Sequence, residues 1–208
     1  MTSDNPARAS ILSRLRSRHI DGGDEKTRHL AEPAYGNQEH FLKQLAANGS
    51  VAEPALNVRG ALNRIRELSL QQGWSVKPAI APGIHKMLTD DHQWDADKPD
   101  LSLPESVAIT QAYCGISDTG SIVCLSSPDN PTTYHFLAEH HIVLLQKSRI
   151  MQCKHDVWAL MRKEQMDTPR AINIISGPSR TADIEQTIQL GAHGPRSLTV
   201  FLINDLNP

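Results

Sequence analysis

The sequence predicts an α/β fold with helices on both faces of a sheet, and three observations lead there. Segments with helical and strand periodicity alternate along the chain. Two strand-length runs, Ile122–Leu125 and Ile142–Leu145, are continuously apolar, as strands covered on both faces are. Ser121–Leu125 and His141–Leu145 follow each other with no full helix between, so some antiparallel or mixed pairing is expected in an otherwise parallel sheet.

The elements are read in order. Ala7–His19 reads as a short helix with Ile11, Leu12 and Leu15 on one stripe and Arg8, Arg14, Arg16 and Arg18 around the rest. Residues 21–36 are polar, with Gly22, Gly23, Pro33 and Gly36, and read as linker, so the chain divides into an N-terminal helix and linker (1–36) and an α/β domain (37–208). Glu39–Asn48 reads as a helix burying Phe41, Leu42 and Leu45 and closed by Asn48-Gly49. A short extended piece, Ser50–Glu53, leads to a helix over Val58–Gln72, capped by Asn57 and stopped by Gly73. Ser75–Ala81 reads as strand, Ile84–Leu88 as a short helix and Thr89–Pro104 as a polar loop. Ser106–Thr110 reads as strand, Gln111–Gly115 as a helical turn, Ser121–Ser126 as strand, Thr133–Leu137 as one helical turn and His140–Leu145 as strand. Cys153–Gln165 reads as helix, Ala171–Ile175 as strand, Thr181–Leu190 as helix and Leu198–Ile203 as the last strand.

Composition narrows the function classes. The chain has 208 residues, long enough to bury a core without disulfides or a structural metal. Its net charge of −2 lacks the basic footprint of a nucleic-acid binder, and aromatics at 4% are too few for a base-stacking surface. Cys114, Cys124 and Cys153 form no C-x-x-C and no cluster of four. This argues against an iron–sulfur cluster or zinc ribbon held by this chain, and fits a reducing compartment. Met1–Ser10 has no apolar core of a signal peptide, and no apolar run reaches the roughly 20 residues of a membrane span. The expectation is a soluble cytoplasmic protein.

Three segments carry chemistry. In Ile174–Glu185 a strand ends at Ser176-Gly177-Pro178-Ser179 and a helix is expected to begin, offering free N–H groups, the Ser179 and Thr181 hydroxyls and the Arg180 charge to a phosphate or carboxylate. Ordinary capping by Ser179 or Thr181 is the other reading, and Asp183 and Glu185 would repel an anion or hold a cation. In Gly115-Ile116-Ser117-Asp118-Thr119-Gly120-Ser121 a turn rich in Gly and hydroxyls precedes a buried strand, with Asp118 as a candidate acid or base. It is neither a P-loop nor a nucleophile elbow, and a plain turn is the alternative. In Leu190-Gly191-Ala192-His193-Gly194-Pro195-Arg196 the turn histidine His193 is a candidate for proton transfer or a structural residue. His135, His140 and His141 are read as core or surface residues, since adjacent histidines in a strand point to opposite faces, and no metal site is assigned.

Ser176–Glu185, Leu190–Arg196 and Gly115–Ser121 resemble the motifs of the LUD domain, the domain of the lactate utilization protein C family; His141-Ile142-Val143 matches its histidine-led strand. Asp118 stands where the family commonly has Glu and Ser117 where it commonly has Ala, which shortens the acid's reach by about 1.5 Å. The resemblance is specific over about 106–203. It implies a three-layer α/β/α fold similar to the CoA-transferase and sugar-phosphate isomerase group. It also implies a part in oxidising L-lactate to pyruvate beside iron–sulfur subunits that carry the clusters, with no cofactor on this chain. The small anion or partner is expected to meet Gly115, Thr119, Gly120, Ser121, Ser176, Gly177, Ser179, Arg180, Thr181, Asp183 and Gly194, with Asp118 or His193 as the candidate catalytic acid or base. Two other functions fit the residues: a stand-alone enzyme on a phosphorylated or CoA-linked small acid, and a binding module docked by its basic N-terminal helix.

Overall fold

The computed structural model describes Ser13 and residues 32–74, 77–88, 100–182, 188–190 and 194–204; the side chains of residues 181, 182 and 188–190 are left aside. The expected N-terminal helix lies, apart from Ser13, outside the described residues, as do most of the 89–104 loop and the Ser75-Val76 start of a predicted strand.

Two helices form as their caps and stripes dictate. Helix α1 (Gln38–Ala47) begins where the Asn37 side chain accepts the His40 N–H at 2.9 Å, and it buries Phe41 and Leu45, four residues apart on one face. Asn48-Gly49 ends it, and strand β1 (Val51–Ala55) follows. Helix α2 (Val58–Gln72) is capped by Asn57, whose side chain accepts the Gly60 N–H at 2.9 Å, and buries Val58, Leu62 and Ile65. Strand β2 (Ala79–Ile80), helix α3 (Pro82–Met87) and strand β3 (Val107–Gln111) come next. Strands β4 (Cys114–Ile116) and β5 (Ser121–Leu125) form a hairpin, followed by helix α4 (Thr132–Phe136) and strand β6 (His140–Gln146). Strand β7 (Ile150–Met151), helix α5 (Lys154–Lys163) and strands β8 (Ile172–Ile175), β9 (Arg180–Ala182), β10 (Ile188–Leu190) and β11 (Ser197–Ile203) complete the chain.

The central sheet has the order β1-β11-β6-β3-β2 and is parallel throughout. Its even positions on β6, Ile142 and Leu144, pack with Val58, Leu62, Ile65 and Ile84 under α2 and α3. Its odd positions, Val143 and Leu145, pack with Phe41 and Leu45 of α1 and with Ile122 and Cys124 of β5. The period-2 alternation of a strand thus feeds two cores from one apolar run.

The antiparallel pairing expected from the short β5–β6 spacing is real but lies in a second sheet. Strands β7-β4-β5-β8 form a four-stranded mixed sheet whose inner face packs on the central sheet and whose outer face, with Cys114, Ile116 and Val123, is covered by Val157 and Leu160 of α5. The α/β class and parallel central sheet stand. The layer order is helix, sheet, sheet, helix, one more than three layers, because β4 and β5 are too short and too close in sequence to cross over within the first sheet.

Two local expectations are corrected. Gln111–Gly115 is extended rather than a helical turn: Ala112 N–H donates to Leu144 O at 2.9 Å and Tyr113 N–H to Val123 O at 2.7 Å, so the backbone hands over from one sheet to the other. The helix expected over Thr181–Leu190 is replaced by strand at both of its described ends, while residues 183–187 lie outside the described residues. Arg180–Ala182 pairs antiparallel with Ile188–Leu190, and β-branched Thr181 and Ile188 favour that extended form.

Candidate functional site

The structure brings together the two Gly/Ser/Thr turns that lie more than fifty residues apart in sequence. The β4–β5 hairpin turns through Ser117–Gly120, with Gly120 at φ 61°. A side chain there would drive into the backbone of Gln44 and Leu45, so only glycine lets the tip press against α1. Asn48, at the end of α1, donates from its side-chain amide to Thr119 O at 2.7 Å and fixes the tip from below.

A row of three hydroxyls crosses the junction. Thr119 Oγ1 lies 2.7 Å from Ser121 Oγ, which lies 2.6 Å from Ser176 Oγ at the end of β8. Ser121 is buried, while Thr119 and Ser176 are exposed, so the row has a buried middle and two ends open to solvent. Hydroxyl protons rotate freely, so the row can turn donors outward at either end to meet an acceptor. Gly177 lies against the Asn48 carbonyl, too close for any side chain. The Arg180 guanidinium lies directly over Gly49, on space a β-carbon would fill. Arg180 is exposed and has no carboxylate partner among the described residues. An uncompensated guanidinium beside a hydroxyl row suits a carboxylate or phosphate, which Arg recognises by paired N–H donors.

The other predicted residues fall less uniformly. Ser179 is held by its N–H to Pro195 O at 2.8 Å, with Gly194 packed beside it. Because β9 begins at Arg180, no helix N-terminus stands behind Ser179 and Thr181, and the free N–H groups expected there are not supplied. Gly115 is buried against Phe41 and Leu145, in apolar surroundings. Asp118 is tied to Gln152, accepting from its side-chain amide at 2.7 Å and donating its own N–H to Gln152 O at 3.0 Å; this fastens the turn to the end of β7. Asp183 and His193 lie outside the described residues, as does the side chain of Thr181. Asn48 and Gly49 were not singled out from sequence beyond their helix-stop signal, yet they join the two turns to Arg180.

Of the three histidines, His135 and His141 are fully buried, their ring centroids 5.7 Å apart. Burial pushes the His141 imidazole down to about 3 and that of His135 down to about 4, so both are neutral near pH 7. Cys114 and Cys124 are buried, and desolvation pushes each thiol up to about 12, which leaves them protonated and unreactive. His140 instead enters a polar cluster at the start of β6. There, ligating atoms of Glu105, Glu139 and His140 lie within 4.8 Å of one another, and Arg196 pairs with both carboxylates.

Two clefts lie at the opposite, carboxyl-terminal edge of the central sheet. One of about 180 Å³ is bounded by Ala81, Gly83, Gln111, Tyr113 and Asp129. The other, about 410 Å³, is bounded by Tyr35, Gln146, Arg149 and Glu164. No helix among the described residues is long and apolar enough to cross a membrane.

Known proteins share these features to different extents. An uncharacterised protein of Neisseria meningitidis serogroup B is 29% identical over 153 residues, covering 74% of this chain and 66% of that one. A lactate utilization protein C of Exiguobacterium is 31% identical over 121 residues (54% of this chain, 52% of the relative), and that of Bacillus subtilis is 29% identical over 138 residues (59% and 58%). The matches thus span about half to two thirds of these curated relatives. A crystal structure of a DUF162 family protein from Deinococcus radiodurans superposes with a TM-score of 0.52 at 18% identity, covering 79% of this chain and 94% of that one, and so shares the fold. The LUD domain model matches residues 38–203, from the start of α1 to the end of β11, and takes in both turns and the Arg180 strand that follows the second: the chain belongs to the LUD domain family.

Proposed function

We propose that this chain serves lactate utilisation as a component without an iron–sulfur cluster, and that it works by binding a small anion at Arg180 and the Thr119–Ser121–Ser176 hydroxyl row. The observation that carries this reading is the exposed guanidinium, without a carboxylate partner among the described residues, held over Gly49 beside the joined turns. Relatives named lactate utilization protein C support the metabolic setting. On this reading electron transfer falls to iron–sulfur partner subunits, since Cys114, Cys124 and Cys153 form no C-x-x-C and no cluster of four. L-lactate and pyruvate each offer a carboxylate for the guanidinium and an adjacent oxygen for a hydroxyl donor.

The test is binding of L-lactate, pyruvate and inorganic phosphate to the full chain by NMR titration, with wild type and Arg180→Ala compared. A charge-assisted hydrogen bond contributes about 1.5–3 kcal/mol, so Arg180→Ala should weaken binding roughly ten- to hundred-fold. A strain lacking the gene should also fail to grow on L-lactate and recover with wild type but not with Arg180→Ala. Equal affinities for wild type and variant would reject the site. Unimpaired growth of the deletion strain would reject the metabolic role.

A further inference from the structure

The geometry points to a second reactive centre at the amino-terminal edge of the central sheet: we propose that Ser197, His140 and Glu105 form a nucleophile–base–acid triad that takes an acyl group from a small carboxylic ester. His140 and Ser197 open the neighbouring parallel strands β6 and β11 and stand opposite each other in register. Ser197 Oγ lies 2.7 Å from His140 Nδ1, and His140 Nε2 lies 2.7 Å from Glu105 Oε2.

The protonation states follow from the partners. The hydrogen bond from His140, with Arg196 beside it, holds the Glu105 carboxyl below its ordinary range, so it is ionised and accepts only. With Glu105 accepting, the neutral His140 ring is the tautomer with its proton on Nε2 and its Nδ1 lone pair toward the Ser197 hydroxyl, which donates to it. That is the tautomer a general base needs to take a serine proton. The ring is 4% exposed and stacked on Trp74 at 4.4 Å between centroids, which holds its orientation. Arg196 donates to the second Glu105 oxygen at 2.9 Å and pairs with Glu139. Glu105 itself sits at φ 57°, a left-handed backbone that is strained for a non-glycine residue. Its N–H donates to Glu139 at 3.2 Å and keeps it there. Ser197 is partly buried, at the first residue of β11.

The chemistry balances without a redox partner. Ser197 Oγ bonds to the ester carbonyl carbon as its proton passes to His140 Nδ1. The carbon–oxygen bond to the alcohol breaks, and the alcohol leaves with that proton. Water, deprotonated by the same nitrogen, then cleaves the acyl-serine, giving the acid and restoring the hydroxyl. The activity is independent of Arg180 and of any role in lactate utilisation.

The full chain is incubated with a fluorophosphonate probe, and peptide mass spectrometry locates the adduct. The expected result is phosphonylation of Ser197 in the native protein, lost on acid unfolding. Hydrolysis of p-nitrophenyl acetate should fall by roughly 10²–10⁴ in Ser197→Ala and in His140→Asn. A native protein with no adduct on Ser197 overturns the proposal, and this readout needs no variant to fold. Ester hydrolysis unchanged in a folded Ser197→Ala overturns it equally.

Discussion

Acidifying this protein from pH 7 to pH 5 should destabilise it through two histidines that no solvent reaches. His135 and His141 are 0% and 1% exposed, and each has one ring nitrogen without a hydrogen-bond partner among the described residues: Nε2 of His135 and Nδ1 of His141. The other nitrogens are used, His141 Nε2 with Thr110 Oγ1 at 2.8 Å and His135 Nδ1 with Asn173 at 3.1 Å. Burial places their folded-state values at about 3 and about 4, against an ordinary 6.5. The unfolded chain therefore binds more protons than the folded one once the pH falls below about 6.5, and stability drops with pH from there down to the folded values. Between pH 7 and pH 5 each histidine should cost about 2 kcal/mol, and the pair about 4. Urea unfolding at pH 7, 6 and 5 measures this directly. His141→Gln keeps a hydrogen-bonding side chain near Thr110 but cannot titrate, so it should roughly halve the pH dependence. Carboxylates with lowered values, such as Glu164 under its bonds from Arg149, lose stability only at lower pH and do not confuse the window. Equal pH dependence in wild type and variant would refute the reasoning, because it would mean that His141 takes up its proton as easily folded as unfolded.

Gly120→Ala should unfold at a markedly lower temperature, by the equivalent of about 2 kcal/mol or more, since the new methyl meets α1 backbone at a residue already at φ 61°; an unchanged melting temperature would count against the hairpin–α1 contact. Native alkylation with iodoacetamide should modify Cys153 alone, because Cys114 and Cys124 are buried with thiols pushed up to about 12, and mass spectrometry showing two modified cysteines would contradict that. Arg149→Lys should destabilise by about 1–3 kcal/mol in denaturant titrations, because a lysine cannot make both bonds to Glu164, at 2.9 and 3.0 Å, together with the 2.6 Å bond to Tyr113 O.

What the sequence reveals depends on how local the physics is. Helices α1 and α2 are legible because cap, apolar stripe and glycine stop all lie within one short window, and each acts on its own neighbours. Thr181–Leu190 misleads because its apolar spacing fits a helix, while its described ends pair as β9 and β10 through contacts that periodicity does not encode. At the site, the two hydroxyl-rich turns are legible as unusual, but not their meeting: the 2.6 Å contact between Ser121 and Ser176 joins residues from separate strands. Asn48-Gly49 was fully accounted for as a helix stop, so nothing in the sequence marked it as the floor under Arg180. Glu105, His140 and Ser197 come from three separate segments and share no motif at all.

The position of the site departs from the usual rule for parallel sheets. Ligands commonly bind at the carboxyl ends of the strands, where neighbours pass the chain to opposite faces. In this sheet that point is between β2, which leads into α3 on the helix-covered face, and β3, which leads into β4 on the other. The 180 Å³ cleft lies there. The acid of its lining, Asp129, is however already engaged: Lys86 pairs with its carboxylate at 2.6 Å, and Gly83 N–H donates to Asp129 O at 2.9 Å. The hairpin that leaves the carboxyl end of β3 carries Thr119 and Gly120 to Asn48, just ahead of where β1 begins, and Arg180 and Ser176 meet it there. Arg180 and the hydroxyl row therefore stand by the amino end of β1, away from that cleft. An anion is drawn to positive charge with no carboxylate beside it rather than to a cleft whose acid is already paired, so on the proposed reading the hairpin, and not the switch in strand order, sets where an anion would bind.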